Sequence, residues 1–364
     1  MHFVQRKVRV DLANFDRFVA GTWGANYIQR RDLYKGKLLA KIGYAAAAWF
    51  LHDPTKTELE GGIRWGLTKV ATHMLEQLQR EILKSLTRAR AFTPSIAMEN
   101  EFHVLPILLK LHQLAMNHRC RQYGSADYKL LDEALEIKDP YRGCTQDRKE
   151  MAMHPYAHLR ALAGLHVRTI REEEQHSLSE PAFAESWADP KKRGEWIKKF
   201  NFRVVFHHAN IAYKLYLNLR MLSRQPMHPT HKADFGDHIL QYYVGLKPAQ
   251  TTMGIGLRTG NLPLKSNWQW CQMNGITDNR CPLCEKAVHT AEHLLCHCTA
   301  LETERGFLRS AVGRLDWHSL VTKDLEITTA WAIAFFGIDQ FKWCLDDKDF
   351  QFPRGRRVHI SFRN

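Results

Sequence analysis

The apolar positions of this chain recur at spacings of three and four far more often than at two. Val70, Met74, Leu75, Leu78, Ile82, Leu83 and Leu86 form such a stripe within the stretch from Gly66 to about Ala91. That spacing places them on one face of a helix. Upstream, Arg30 to Phe50 is rich in Leu, Tyr, Lys and Ala, and its G-Y-A-A-A-A-W-F end has high helix propensity. His52-Asp53-Pro54-Thr55 breaks the chain, and Thr93-Pro94-Ser95 ends one helix and can cap the next. A further helix is expected from Glu99 to Arg121, with Pro106 at a turn or kink. The stretch Tyr123–Asn201 carries mixed charge, including Glu172-Glu173-Glu174 and Lys191-Lys192-Arg193. It reads as a linker or loosely ordered helical spacer. Periodicity returns from Lys198 to Leu222 through Phe202, Val205, Phe206, Ile211, Leu215 and Leu219. Signals for β-strands are few. The expected class is therefore mostly α, with a small Cys/His module near the C-terminal end.

Composition narrows the classes. Of 364 residues, 45% are hydrophobic and 11% aromatic, which is enough to bury a core and argues against a disordered chain. There is no run of 18 or more apolar residues, the length a membrane span requires. The N-terminal M-H-F-V-Q-R-K has no apolar segment of the kind a secretory signal needs, so an intracellular protein, not a secreted one, is expected. Lys plus Arg number 52 against 38 Asp plus Glu, a surplus of +14 that points to a polyanionic partner.

Five of the eight cysteines fall between Cys271 and Cys298. Cys281, Cys284, His293 and Cys298 form a C-x2-C-x8-H-x4-C pattern. Three thiolates and one imidazole are the ligand set of a closed structural zinc site, and such a site leaves no open position for a catalytic water. The first pair is close because a C-P-x-C turn aims both sulfurs at one metal. The second pair raises a geometric difficulty. Residues five apart drift off one face of an α-helix, so His293 and Cys298 can share a metal only if the helix ends or turns near Cys296. His289, Cys296 and His297 are competing ligands. The adjacent His207 and His208 do not share a helix face and are not expected to ligate jointly.

The stretch from Cys281 to Leu308 resembles the Cys/His module near the C-terminal end of reverse transcriptases from non-LTR (LINE-type) retrotransposons. Glu292, His293, Leu294, Leu295, Cys298 and Arg305 fall into its pattern, and Leu257-Arg258-Thr259-Gly260 matches the R-T-G turn that opens it. Thr22-Trp23-Gly24, Leu33-Tyr34 and Tyr44–Trp49 resemble the stretch just past the polymerase palm in fungal elements. Leu78-Gln79-Arg80 through Thr93-Pro94 resembles the thumb helices, Leu105-Pro106-Ile107 the following V-P-P-I, and Ala330–Phe341 the closing helix. The matches keep their order from about residue 20 to about 345, with a poor match over about 125–195. The resemblance implies a thumb/connection-like helical region over 1–124, a spacer over 125–196, a helical region over 197–345 holding the zinc module at 281–298, and a basic tail over 346–364.

The departures from that family bear on activity. Its palm needs an aromatic-x-Asp-Asp turn for metal-dependent polymerisation. Here Asp346-Asp347 lacks the aromatic and follows the zinc module, and nothing between Tyr123 and Lys265 offers the carboxylate cluster of an RNase H domain. The resemblance thus implies a remnant that is not an enzyme, is intracellular and nuclear, and contacts RNA or DNA through backbone-type interactions. Arg258, Lys265, Arg280 and Arg305, with Trp268 and Trp270, are the candidate contacts, the tryptophans alternatively packing around the zinc core. The other reading is a domesticated helical interaction or scaffold protein with a structural zinc site. No P-loop, G-x-S-x-G or H-E-x-x-H motif supports an enzyme.

Overall fold

A computed structural model of the chain describes residues 2–17, 24–55, 66–126, 129–130, 155–222 and 235–336. The basic tail, Thr22-Trp23, Asp346-Asp347 and the end of the closing helix lie outside the described residues. The fold is mostly helical, with the Cys/His cluster near its C-terminal end. In order come α1 (His2–Asp16), α2 (Tyr27–Leu33), α3 (Leu39–Ile42), α4 (Ala46–Trp49), α5 (Lys69–Thr87), α6 (Ser95–Glu101) and α7 (Ile107–Gln122). There follow α8 (Pro155–Ser177), α9 (Glu180–Ala188), α10 (Pro190–Leu222), α11 (Pro248–Thr259), α12 (Trp268–Met273), α13 (Glu302–Val312), α14 (Trp317–Leu320) and α15 (Leu325–Phe336).

The stripe that predicts α5 is the face it buries. Leu75, Leu78, Ile82, Leu83 and Leu86 are all buried, while Val70 lies out in solvent. The helix expected over Glu99 to Arg121 is two helices. A turn at Phe102-His103 separates α6 from α7, with His103 at φ 44°. Proline at position 106 cannot continue a helical hydrogen-bond ladder, but it suits a helix entry. The Gln79 side chain completes that entry: its Oε1 accepts the Ile107 N–H at 2.8 Å and its Nε2 donates to the Leu105 carbonyl at 2.9 Å. Similarly, the helix expected over Arg30 to Phe50 breaks at a turn where Ala45 takes φ 52°.

The chain divides into two compact units, each assembled from separated segments. The first comprises 1–5, 39–79 and 105–212; the second comprises 6–38, 80–104 and the chain from 213 onward. The sequential division at 124 and 196 does not coincide with them.

In the first unit, Met116 and Cys120 of α7 pack with Leu159, Ala163, Val167 and Ile170 of α8 and with Ile197 of α10. Residues 155–196 are therefore no loose spacer. Their charges, including Glu172-Glu173-Glu174, lie on solvated faces of helices whose other faces are buried. Several of the polar groups enclosed here are held by specific partners. Asp53 accepts from His158 Nε2 at 2.7 Å and from the Thr55 backbone N–H at 3.0 Å. Arg119 donates to the Ala47 and Phe50 carbonyls.

The second unit holds the Cys/His module. Its core includes Met253 and Leu257 of α11, Leu308 of α13, Leu320 of α14, and Trp331, Ala332 and Phe336 of α15. No helix among the described residues is long and apolar enough to cross a membrane.

Candidate metal centre

The module begins where α11 ends. Gly260 takes φ 65°, a left-handed conformation costly for any residue with a Cβ. Its N–H bonds the Leu257 carbonyl and the Asn261 N–H bonds the Gly256 carbonyl, a Schellman closure that reverses the chain. The glycine of the R-T-G turn is thus required by backbone geometry.

A hairpin then presents the first ligand pair. Arg280 and Val288 form an antiparallel bridge, and the Cys281 N–H donates to the Ala287 carbonyl at 2.7 Å. The Glu285 N–H closes back on the Cys281 carbonyl at 2.8 Å, with Glu285 itself at φ 58°. That tight turn places Cys281 and Cys284 on the same side.

The second pair follows from a local departure from α-helical geometry. Thr290 opens the segment, its hydroxyl accepting the His293 N–H at 2.9 Å. Residues His293–His297 then form a π-type turn, closed by the Cys298 N–H on the His293 carbonyl at 2.7 Å. A π turn bonds i to i+5 and recurs at functional sites. It returns residue 298 to the face of residue 293. That resolves the difficulty posed by a five-residue spacing.

The four ligand atoms of Cys281, Cys284, His293 and Cys298 all lie within 4.8 Å of one another. The Cys281 and Cys298 sulfurs are 3.9 Å apart, and Cys284 Sγ is 3.2 Å from His293 Nε2. A tetrahedral zinc with bonds of about 2.3 Å to sulfur and about 2.0–2.1 Å to nitrogen requires edges of about 3.8 Å (S to S) and about 3.6 Å (S to N). The Cys281–Cys298 and Cys284–His293 separations lie within about 0.4 Å of those edges, and the remaining pairs lie within 4.8 Å. At 3.9 Å the two sulfurs are far beyond disulfide bonding. These residues can hold a metal ion.

Electrostatics agree. The Cys281 thiol is pushed down by its hydrogen bond with Cys298, assisted by the Cys284 and Leu283 backbone N–H groups, which together outweigh burial. The same partnership, with burial, pushes Cys298 up. A dication held between the two sulfurs would take the place of the proton of their hydrogen bond. Cys281 and Cys298 are fully buried, and Leu294 and Leu295 anchor the turn between them in the core.

The competing ligands are placed elsewhere. His289 is buried with its Nδ1 accepting the Lys265 backbone N–H at 3.2 Å. Cys296 is half-buried, its thiol pushed up to about 12 by burial and by Glu292. His297 is exposed, 4.0 Å from Glu292.

The proposed phosphate contacts separate into two groups. Arg280 is exposed, with an ion pair to Asp278 at 3.1 Å, and Lys265 is half-buried. Arg258 and Arg305 require correction: both are 1% exposed and cannot reach a phosphate. Arg258 Nε donates to Glu101 Oε2 at 2.8 Å and its Nη1 to the Val321 carbonyl at 2.6 Å. Tyr243 donates its hydroxyl to the same Glu101 oxygen, and the Tyr242 ring lies 4.5 Å beneath the guanidinium. Arg258 thus ties α11 to α6. Arg305 pairs with Glu302 within the first turn of α13. The partner of Arg258, 157 positions upstream, gives no local sign; Glu101 is one acid among 38. The tryptophans divide as well: Trp270 is buried at 7% exposure, whereas Trp268 is 63% exposed.

Comparison with models of protein families, with curated proteins and with solved structures finds no match to this chain.

Proposed function

We propose that this chain is a nucleic-acid-binding protein, derived from the C-terminal part of a fungal non-LTR reverse transcriptase and carrying no catalysis of its own, in which the Cys281/Cys284/His293/Cys298 centre holds a structural zinc. The observation that carries the reading is a three-cysteine, one-histidine cluster whose ligand atoms lie within 4.8 Å of one another in a chain with a surplus of +14 charges. Four protein ligands make a closed coordination sphere, so the metal's role is to hold the chain in shape. Bound there, zinc would join the 279–289 hairpin to the π turn. That would fix the base from which Arg280 and Lys265 reach phosphates without reading bases. The ordered resemblance to the reverse transcriptase family supports the same partner and a nuclear site of action.

A filter-binding titration tests the reading. Single- and double-stranded oligonucleotides should be retained at about 50 mM salt and released steeply by about 200 mM, because binding displaces condensed counterions. Replacing both Lys265 and Arg280 by Gln should lower the salt slope on duplex by about two, close to one for each phosphate no longer neutralised. Retention of neither form at low salt would overturn it.

A further inference from the structure

Beside the metal module lies a cleft of about 440 Å³, within the range of about 300–1,000 Å³ common for small-ligand sites. Its walls come from the last turns of α10, the Gly260 turn, the start of α12 and the Thr290–Glu292 segment that leads into the π turn. Three features distinguish it. Trp268 lines it while remaining 63% exposed, although Trp270, Trp317 and Trp331 in the same unit are all buried. Arg220 lines it with its guanidinium already oriented, Nη1 donating to the Tyr216 hydroxyl at 2.9 Å and Cζ 5.8 Å from the Tyr216 ring. Gln269, exposed beside Trp268, offers an amide with both donor and acceptor.

An exposed indole, a held guanidinium and an amide around one cavity are the groups that engage a base face, a phosphate and a base edge. We infer that this cleft takes one unstacked nucleotide of a single-stranded nucleic acid, the base against Trp268 and the phosphate at Arg220. The inference rests on the nucleic-acid reading above and makes it more specific. The +14 charge supplies the general attraction for a polyanion. The cleft adds a preference for strand type, because a base already paired and stacked in a duplex has no free face for the indole without being flipped out. Glu292 also lines the cleft, and its carboxylate lies 4.0 Å from His297.

The test uses the full chain with zinc, and Trp268→Ala and Trp268→Phe variants. Fluorescence anisotropy measures binding to a labelled single strand and to its duplex. Trp268 is exposed, so both variants should keep the zinc content and helical circular dichroism of the parent. Trp268→Ala should weaken single-strand binding about ten-fold and change duplex binding less than about two-fold, while Trp268→Phe keeps most of the affinity. A 2-aminopurine placed in the single strand should be quenched by the parent and not by Trp268→Ala. If the parent binds nucleic acid but Trp268→Ala weakens both forms equally, or neither, the cleft inference falls and the broader reading stands. If the parent binds no nucleic acid, both fall.

Discussion

Removing the Glu101 carboxylate should destabilise the second unit more than almost any other single change on α6. Glu101 is the counter-ion of Arg258, and the two side chains are 4% and 2% exposed. It takes the Arg258 Nε–H and the Tyr243 hydroxyl, and its other oxygen lies 3.4 Å from Arg258 Nη2. After Glu101→Leu the guanidinium keeps the Val321 carbonyl and the Tyr242 ring, but its charge loses the carboxylate that balances it. At an effective dielectric near 20 and a charge separation near 4 Å, the lost attraction is about 4 kcal/mol. Breaking a buried pair from one side costs about 3–5 kcal/mol because one charge stays buried and uncompensated. The Tyr243 hydroxyl loses its acceptor as well, a further cost of about 1 kcal/mol. The expected loss is thus about 5 kcal/mol, and about 4 kcal/mol for Arg258→Leu, which keeps the Tyr243 hydrogen bond. The double variant removes both charges and should be no less stable than either single, since a buried pair replaced together by apolar groups is often near neutral. Urea-dependent hydrogen exchange of α6 and α11 peptides measures all four corners. Single losses below about 1 kcal/mol, or strictly additive losses, would refute the assignment of this pair as a buried tie between α6 and α11.

Two further outcomes follow from groups in the two units. Burial holds the His112 imidazole neutral, lowering its pKa to about 4 against the nearby Asp53 charge. The unfolded chain binds that proton near pH 6.5 and the folded chain does not. Stability is therefore full above about pH 6.5 and falls by about 3 kcal/mol as pH drops towards 4. Thermal unfolding between pH 7 and 4 should show this fall in the first unit, and His112→Gln should flatten it; an unchanged slope would contradict it. Within the metal module, Cys298→Ser should abolish stoichiometric metal in the purified chain, whereas Cys296→Ser should leave it intact. Equal metal loss from both would place the fourth ligand wrongly.

Much of this architecture is legible in the sequence where the signal is local. The α5 stripe from Leu75 to Leu86 names both the helix and its buried face. The C-P-x-C turn names the first ligand pair. The Arg258-Thr259-Gly260 turn is legible as a turn, because Gly260 must adopt positive φ. What escapes the sequence is non-local or depends on backbone departures. Arg258 reads as a surface cation until its partner Glu101, on a separate helix, is brought beside it. The His293/Cys298 pair reads as awkward because α-helical spacing is assumed, and a single i to i+5 hydrogen bond removes the difficulty. The stretch around 155–197 reads as a spacer because of its charged runs at 172–174 and 191–193, while its apolar residues Leu159, Ala163, Val167, Ile170 and Ile197 complete a core only against Met116 and Cys120 of α7.

The metal centre is the claim on which the rest depends, and the coordination sphere of the purified full chain tests it most directly. X-ray absorption at the zinc edge should show one zinc per chain. Its shell should be about three sulfurs at 2.3 Å and one nitrogen at about 2.0–2.1 Å. His293→Ala should remove the nitrogen or the metal. A folded chain carrying no zinc, or a sphere rich in oxygen with fewer than two sulfurs, would contradict the account.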